Sequence, residues 1–307
     1  MIKSIFKNSL LYLILGFICV WFFAPFVPIQ KIIAPIKDHK TLAISIFMTI
    51  IISFTVISMF FQFAIVYQLV KFIKNWKRAL ILMGISLVLI FLCIVWMQFS
   101  LEKAKAFTEG ISYFDQLKII IFKMGLIALP QKCFYSLFII FLCTGFGYLI
   151  SLIIREKNLL VPVMLCCVLV DIWTVTLGFV SKTLTNTPEV LSAVSSEIPM
   201  VGSRGFNPIS TIGAGDFIFP ALVFACVFKF GFEEKKNFWL MFSFLLIGML
   251  LIILNIVPIL PALVFVSAAA LTANWKKFNL TKKEILYTVI VFLFLLTYLI
   301  LFTFFTK

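Results

Sequence analysis

The chain reads as an all-α polytopic transmembrane helix bundle of nine or ten spans, forming a single membrane domain. Three observations predict this. Hydrophobic residues make up 63% of the 307 residues and charged ones only 12%, with a mean hydropathy of +1.18, far from the balance of a soluble domain. The apolar residues gather into runs of roughly 20, the length that crosses a hydrocarbon core about 30 Å thick. Such runs, joined by short connections, consume nearly the whole chain and leave nothing for a separate soluble domain.

Runs long enough to span lie at about 9–28, 42–70, 79–99, 133–154, 159–180, 211–232, 238–256 and 285–306. Two shorter pieces bring the count to nine or ten. Residues 117–130 are interrupted by Lys118 and Lys123 and closed by Pro130, and residues 258–273 begin with Pro258 and Pro261. The second reads as a helix inside the bundle, where an irregular start is tolerated. Residues 101–116 read as a loop able to hold an interfacial helix. Residues 181–210, rich in Ser, Thr, Asn and Pro, form the longest connection. The domain thus divides into N-terminal helices (1–158), a core (159–273) and a further C-terminal span (274–307). The first run follows Lys3 and Lys7 without a small-residue cleavage site, so it reads as a retained helix.

The formal charge of +14 raises nucleic acid as a partner, but its distribution excludes that. The 26 Lys and Arg sit between the apolar runs, as Lys71, Lys74, Lys77 and Arg78 do, which is the pattern of topology-setting and contact with lipid headgroups. Loops 155–158, 229–236 and 276–283 hold Arg155, Lys157, Lys229, Lys235, Lys236, Lys276, Lys277, Lys282 and Lys283. The opposite side holds Lys182, Arg204 and Lys307. The positive-inside rule then puts the first set in the cytoplasm and the 181–210 loop outside, in a multi-pass protein of a cell membrane. The seven Cys lie in or beside apolar stretches without metal spacing, and His39 stands alone in a loop. Neither a metal nor another cofactor is expected.

Of the twelve acidic residues, ten fall in loops or at span ends. Asp171, inside LLVPVMLCCVLVDIWTVTLGFV, and Asp216, inside STIGAGDFIFPALVFACVF, do not. An ionisable group at bilayer depth costs roughly 2.5–3.5 kcal/mol on insertion scales and marks a functional position. Consecutive spans run antiparallel, so the two carboxyls can meet. Two close carboxyls share one proton, because both cannot ionise together. One then activates water while the other protonates a carbonyl, the division of labour of an aspartic protease. From the two residues alone, separate structural hydrogen bonds or a proton path remain equally open readings.

The local context narrows the choice. Gly213-Ala214-Gly215-Asp216 is a GxGD motif, in which the glycines let the helix loosen and another backbone approach the carboxyl. Further on, Pro261-Ala262-Leu263 opens a short apolar segment, and a proline there frees backbone groups to face a site. An Asp in one span, GxGD in the next and Pro-Ala-Leu on a later short one resemble the presenilin and signal peptide peptidase family over residues 159–273. The stretch GAGDFIFPALVF is especially similar to the family pattern.

The resemblance implies an intramembrane aspartic endopeptidase of presenilin-like fold. Asp171 and Asp216 would be its catalytic dyad, with Gly213, Gly215, Pro261, Ala262 and Leu263 binding substrate, and no metal or other cofactor. Its substrates would be transmembrane or signal-peptide-like segments in the lipid bilayer. Two departures stand out: Val170 occupies the position where the family often has Tyr, and the span 285–306 follows the Pro-Ala-Leu segment. Ser210 and Thr211 read as helix caps or residues of a wet cavity and not as nucleophiles, and Trp173 as an interfacial anchor or a core residue. Competing classes are a transporter or channel with the Asp pair as a proton relay, and a prepilin-peptidase-like GxGD protease. An unwound substrate helix needs backbone partners in a low-dielectric site. The stretches 198–201, 207–211 and 258–263 are the candidates to supply extended backbone for it.

Overall fold

The computed structural model describes residues 2–29, 32, 40–103, 112–122, 130–176, 193–202, 208–254, 256–257 and 260–305. Most of them are helical. The helices are α1 (Ile2–Phe23), α2 (Lys40–Phe72), α3 (Trp76–Lys103), α4 (Tyr113–Phe122), α5 (Gln131–Ser151), α6 (Leu160–Thr176), α7 (Gly215–Phe230), α8 (Glu234–Ile253), α9 (Ala262–Asn274) and α10 (Lys282–Phe305). Among the described residues, seven helices are long and apolar enough to cross a membrane: α1, α2, α3, α5, α6, α8 and α10. The protein is therefore a multi-pass membrane protein by the length and composition of its helices. Isoleucine, leucine, valine and phenylalanine stand exposed along α3 at Ile81, Ile85, Val88, Leu92 and Phe99, and along α10 at Ile285, Val289, Leu293 and Leu301. Exposed apolar stripes of that extent suit contact with acyl chains, not water.

Three expected spans differ. The run 211–232 becomes helical only at Gly215, because its first residues form a strand. The resulting α7 has 16 residues, about 24 Å of helix, short of a full hydrocarbon core. Its run from Pro220 to Val227 is buried throughout, so its partners are protein. The segment beginning at Pro258 yields α9, 13 residues long, with 258 and 259 outside the described residues. Of 117–130, residues up to Phe122 belong to α4, and 123–129 lie outside the described residues. So do His39, residues 104–111 and most of 181–210.

An antiparallel pair of strands, β1 (Ser195–Pro199) and β2 (Pro208–Gly213), is the addition to the helical class. The stretches expected to supply extended backbone around Ile198 and Ser210 are extended, and they pair with each other. Ser210 and Thr211 are consequently strand residues and not caps, the helix beginning later.

By packing, the chain forms two compact units. The first comprises Met1–Cys143 with Pro188–Ala214. In it α1 lies against α2, α3 against α4, and β1 against α1 and α2. Gly202, at φ +70°, donates its N–H to the Ala24 carbonyl at 2.9 Å, and Val201 is buried with Ala24 and Ile29. A Cβ at Gly202 would sit 2.8 Å from Ile29, so both backbone angle and space require glycine there.

The second unit comprises Thr144–Thr187 with Gly215–Lys307. Here α9 packs between α6 and α8, α10 lies along α6, and α7 meets α8 and α9. Buried amides tie α8 to α9, with Asn237 Nδ2 donating to Asn274 Oδ1 at 3.0 Å and Asn274 Nδ2 returning a bond at 2.7 Å. Ser267 Oγ on α9 donates to the Met164 carbonyl on α6 at 3.2 Å. Trp173 meets Phe302 edge-to-face with ring centroids 5.5 Å apart, which makes it a packing residue between α6 and the extra C-terminal helix α10. That helix starts with a capping box, in which Thr281 N donates to Glu284 Oε2 at 2.6 Å and Glu284 N to Thr281 Oγ1 at 3.3 Å.

Gly147 on α5 is the tightest contact in this unit. A Cβ there would fall 2.2 Å from the Ile218 carbonyl oxygen of α7, the close approach that small residues permit between membrane helices. Gly84 on α3 has nothing within 4 Å of such a Cβ. Gly147→Ala should therefore lower stability by about 2–3 kcal/mol, the upper range for overpacking. Gly84→Ala should leave it unchanged or slightly raised. Thermal unfolding of the two variants in detergent checks this, and equal behaviour would contradict the α5–α7 contact.

Candidate functional site

Asp171 lies on α6 eleven residues after Leu160, about 16 Å along the helix axis. Apolar neighbours hold that segment helical, and the described helix continues to Thr176, whose neighbour Thr174 returns its hydroxyl to the Asp171 carbonyl at 3.0 Å. Asp216 is the second residue of α7, in the first turn, where the N-terminal dipole favours a carboxylate. Pro220 carries no N–H and cannot donate to the Asp216 carbonyl four residues upstream. Both aspartates are half-buried.

The Pro-Ala-Leu segment meets the first of them directly. Pro261 is extended, at φ −70° and ψ 104°, and stands as the N-cap of α9 without a side-chain bond of its own. Its ring and missing N–H stop the helix from reaching further back. Ala262 begins the helix, and the N–H of Leu263 is one of the amides that no helical carbonyl can satisfy. It donates to Asp171 Oδ2 at 2.8 Å. The carboxyl of α6 thereby caps α9 from outside, in the place where a Ser or Asp at the N-cap would ordinarily act.

Asp171, Asp216, Gly215 and Leu263 line one cavity, together with Cys166, Cys167, Val170, Thr174 and Phe219. Its volume of about 380 Å³ falls within the range of ligand sites, roughly 300–1,000 Å³. All of these residues belong to the second unit. A Cβ at Gly215 would meet nothing within 4 Å. The expected close approach of another backbone is therefore not what this glycine serves; it leaves room beside Asp216. Gly213 ends β2 in the first unit and is not among the lining residues, while Pro261 and Ala262 act through the position of Leu263. Val170, where the resemblance expects Tyr, faces the same cavity. Among the described residues no three His, Cys, Asp or Glu side chains come together to hold a metal ion.

One ionisable pair escaped the sequence reading. Glu197 falls in the polar connection 181–210 and Lys132 just before the apolar run 133–154, yet their side chains are buried against each other with Nζ to Oε1 at 3.0 Å. The polarity of Ser195-Ser196-Glu197 reads as loop, and no periodicity signals a strand buried among helices. Compared with known protein families, curated proteins and solved structures, the chain matches none.

If Asp171 is the outside cap of α9, Asp171→Ala should free the first turn of that helix. Removing the acceptor of one buried amide costs about 1–3 kcal/mol. Hydrogen exchange over 260–266 should accelerate in that variant and far less in Asp171→Asn, which keeps an acceptor oxygen. Equal exchange in both would remove the capping role.

Proposed function

We propose that the chain is an intramembrane aspartic endopeptidase of the presenilin and signal peptide peptidase type, with Asp171 and Asp216 as its dyad. The observation that carries this reading is the shared cavity, lined by two carboxyls from different apolar helices and by the first turn of the Pro-Ala-Leu helix. In the mechanism, the dyad holds one proton between two carboxyls. The ionised carboxylate takes a proton from water as its oxygen attacks the scissile carbonyl carbon, and the protonated partner gives its proton to the carbonyl oxygen. The tetrahedral diol then collapses: the C–N bond breaks, the proton held by the first carboxyl passes to the leaving nitrogen, and one diol hydroxyl returns its proton to the partner carboxyl as the product carbonyl forms, which restores the singly protonated pair. The Leu263 N–H holds one oxygen of Asp171 throughout, which orients the other oxygen towards the cavity.

The substrates are transmembrane or signal-peptide-like segments, opened locally because a helical carbonyl is shielded by its own chain. An opened segment needs backbone partners, and an extended strand edge supplies them. The setting is a cell membrane, with the basic loops at 155–158, 229–236 and 276–283 on the cytoplasmic face.

Asp171→Asn and Asp216→Asn should each reduce cleavage of a model transmembrane substrate in detergent by roughly 10²–10⁴-fold, the worth of a lost general acid or base. Folding should be retained in both. The wild-type rate should follow a bell-shaped pH profile set by the pair as a unit. Undiminished cleavage by either variant would move the catalyst elsewhere. Absence of cleavage by the wild type, with proton-coupled flux in vesicles that needs both Asp, would favour the relay reading instead.

A further inference from the structure

The strand β1 is held from outside by side chains of two helices. Lys132, 1% exposed, and Glu197, 3% exposed, form a buried ion pair. The Glu197 N–H donates to Ser136 Oγ at 3.2 Å, and Gln62 Nε2 donates to the Glu197 carbonyl at 3.4 Å and to Ser196 Oγ at 3.3 Å. The Tyr135 hydroxyl donates to the Ala193 carbonyl just upstream. Lys132, Tyr135 and Ser136 share one face of α5 by their spacing of three and four, and Gln62 comes from α2.

Two consequences follow from strand geometry. Since both backbone groups of Glu197 turn outward, the ladder bonds of β1 come from its neighbours, and the outer edge of β1 is occupied by side chains. Thr211 lies opposite Glu197, so its N–H and C=O point to the outer edge of β2, which is the edge on which a further strand can add. Register is the second matter. The sequence Ser-Ser-Glu-Ile-Pro has low strand propensity, the pairing is irregular between Ile198 and Pro199, and prolines at 199 and 208 supply no ladder donors. Something outside the hairpin must set its register. A slip by one residue would turn Glu197 to the other face, and a slip by two would carry its carboxylate about 6.6 Å from Lys132. Either would strand a buried charge, and register is the best-attested use of buried ionic groups.

We infer that the Lys132–Glu197 ion pair is the register lock of the β1–β2 hairpin: the carboxylate finds its cation, and the strand its Ser136 and Gln62 partners, in one register only.

Hydrogen-exchange mass spectrometry on the full chain tests the lock. In Glu197→Gln, segments 195–199 and 208–213 should exchange at least about tenfold faster while α8 and α9 keep wild-type protection. Lys132→Met is the gentler variant, because burial pushes the Glu197 carboxyl up and only Lys132 opposes that rise, so the orphaned acid can take a proton. The reversed pair Lys132→Glu/Glu197→Lys should restore the protection. Unchanged hairpin exchange in both single variants, or faster exchange across all helices alike, overturns the lock.

Discussion

The hydrogen bond from the Leu263 N–H to Asp171 Oδ2 expresses the constraint on which this structure turns. A helix buried among other helices begins with amides that its own carbonyls cannot reach, and a low-dielectric interior gives them no water. At α9 the proline that ends the helix removes one such donor, and the N–H of Leu263, two residues on, is aimed at α6. The Asp171 carboxyl on α6 meets that need. The same pairing lowers the cost of holding a carboxyl among apolar helices, since a buried polar group is tolerated in proportion to the partners it finds. The arrangement that satisfies the backbone therefore also keeps Asp171 oriented in the cavity that Asp216 shares.

The hairpin obeys the same rule with other means. A strand placed among helices exposes amides and carbonyls on its outer edge. Here the edge of β1 is met by Ser136, Gln62 and the Lys132–Glu197 pair, while the turn end is fastened to Ala24 by Gly202. Breaking one member of a buried ion pair costs about 3–5 kcal/mol, more than the pair itself contributes over an apolar replacement. That asymmetry makes such a pair more suited to excluding wrong arrangements than to adding stability.

Much of the molecule was legible in composition and periodicity. The apolar runs at 9–28, 42–70, 79–99, 133–154, 159–180, 238–256 and 285–306 each correspond to a helix long and apolar enough to span, because the bilayer permits almost no other structure for an apolar stretch of that length. Asp171, Asp216 and Leu263 were legible too, since a carboxyl or a proline inside an apolar run has few structural uses. The start of α7 was not. Thr211, Ile212 and Gly213 continue an apolar run without interruption, and periodicity cannot tell a short buried strand from the first turn of a helix. Glu197 was hidden for the opposite reason. Its neighbours are polar and its stretch reads as loop, while the Lys132 that neutralises it is 65 residues away.

The sequence by itself determined that the chain is a mostly helical multi-pass membrane protein, where most of its long apolar helices lie, and which two carboxyls fall within apolar runs. Each of these follows from local composition, because transfer of a side chain or an amide into hydrocarbon is set residue by residue. Only the tertiary structure decided that Asp171 caps α9, that Gly215 leaves space where a side chain would project, and that Lys132 and Glu197 meet in the interior. Those outcomes depend on distances between segments far apart in the chain, and no local free energy of transfer specifies them.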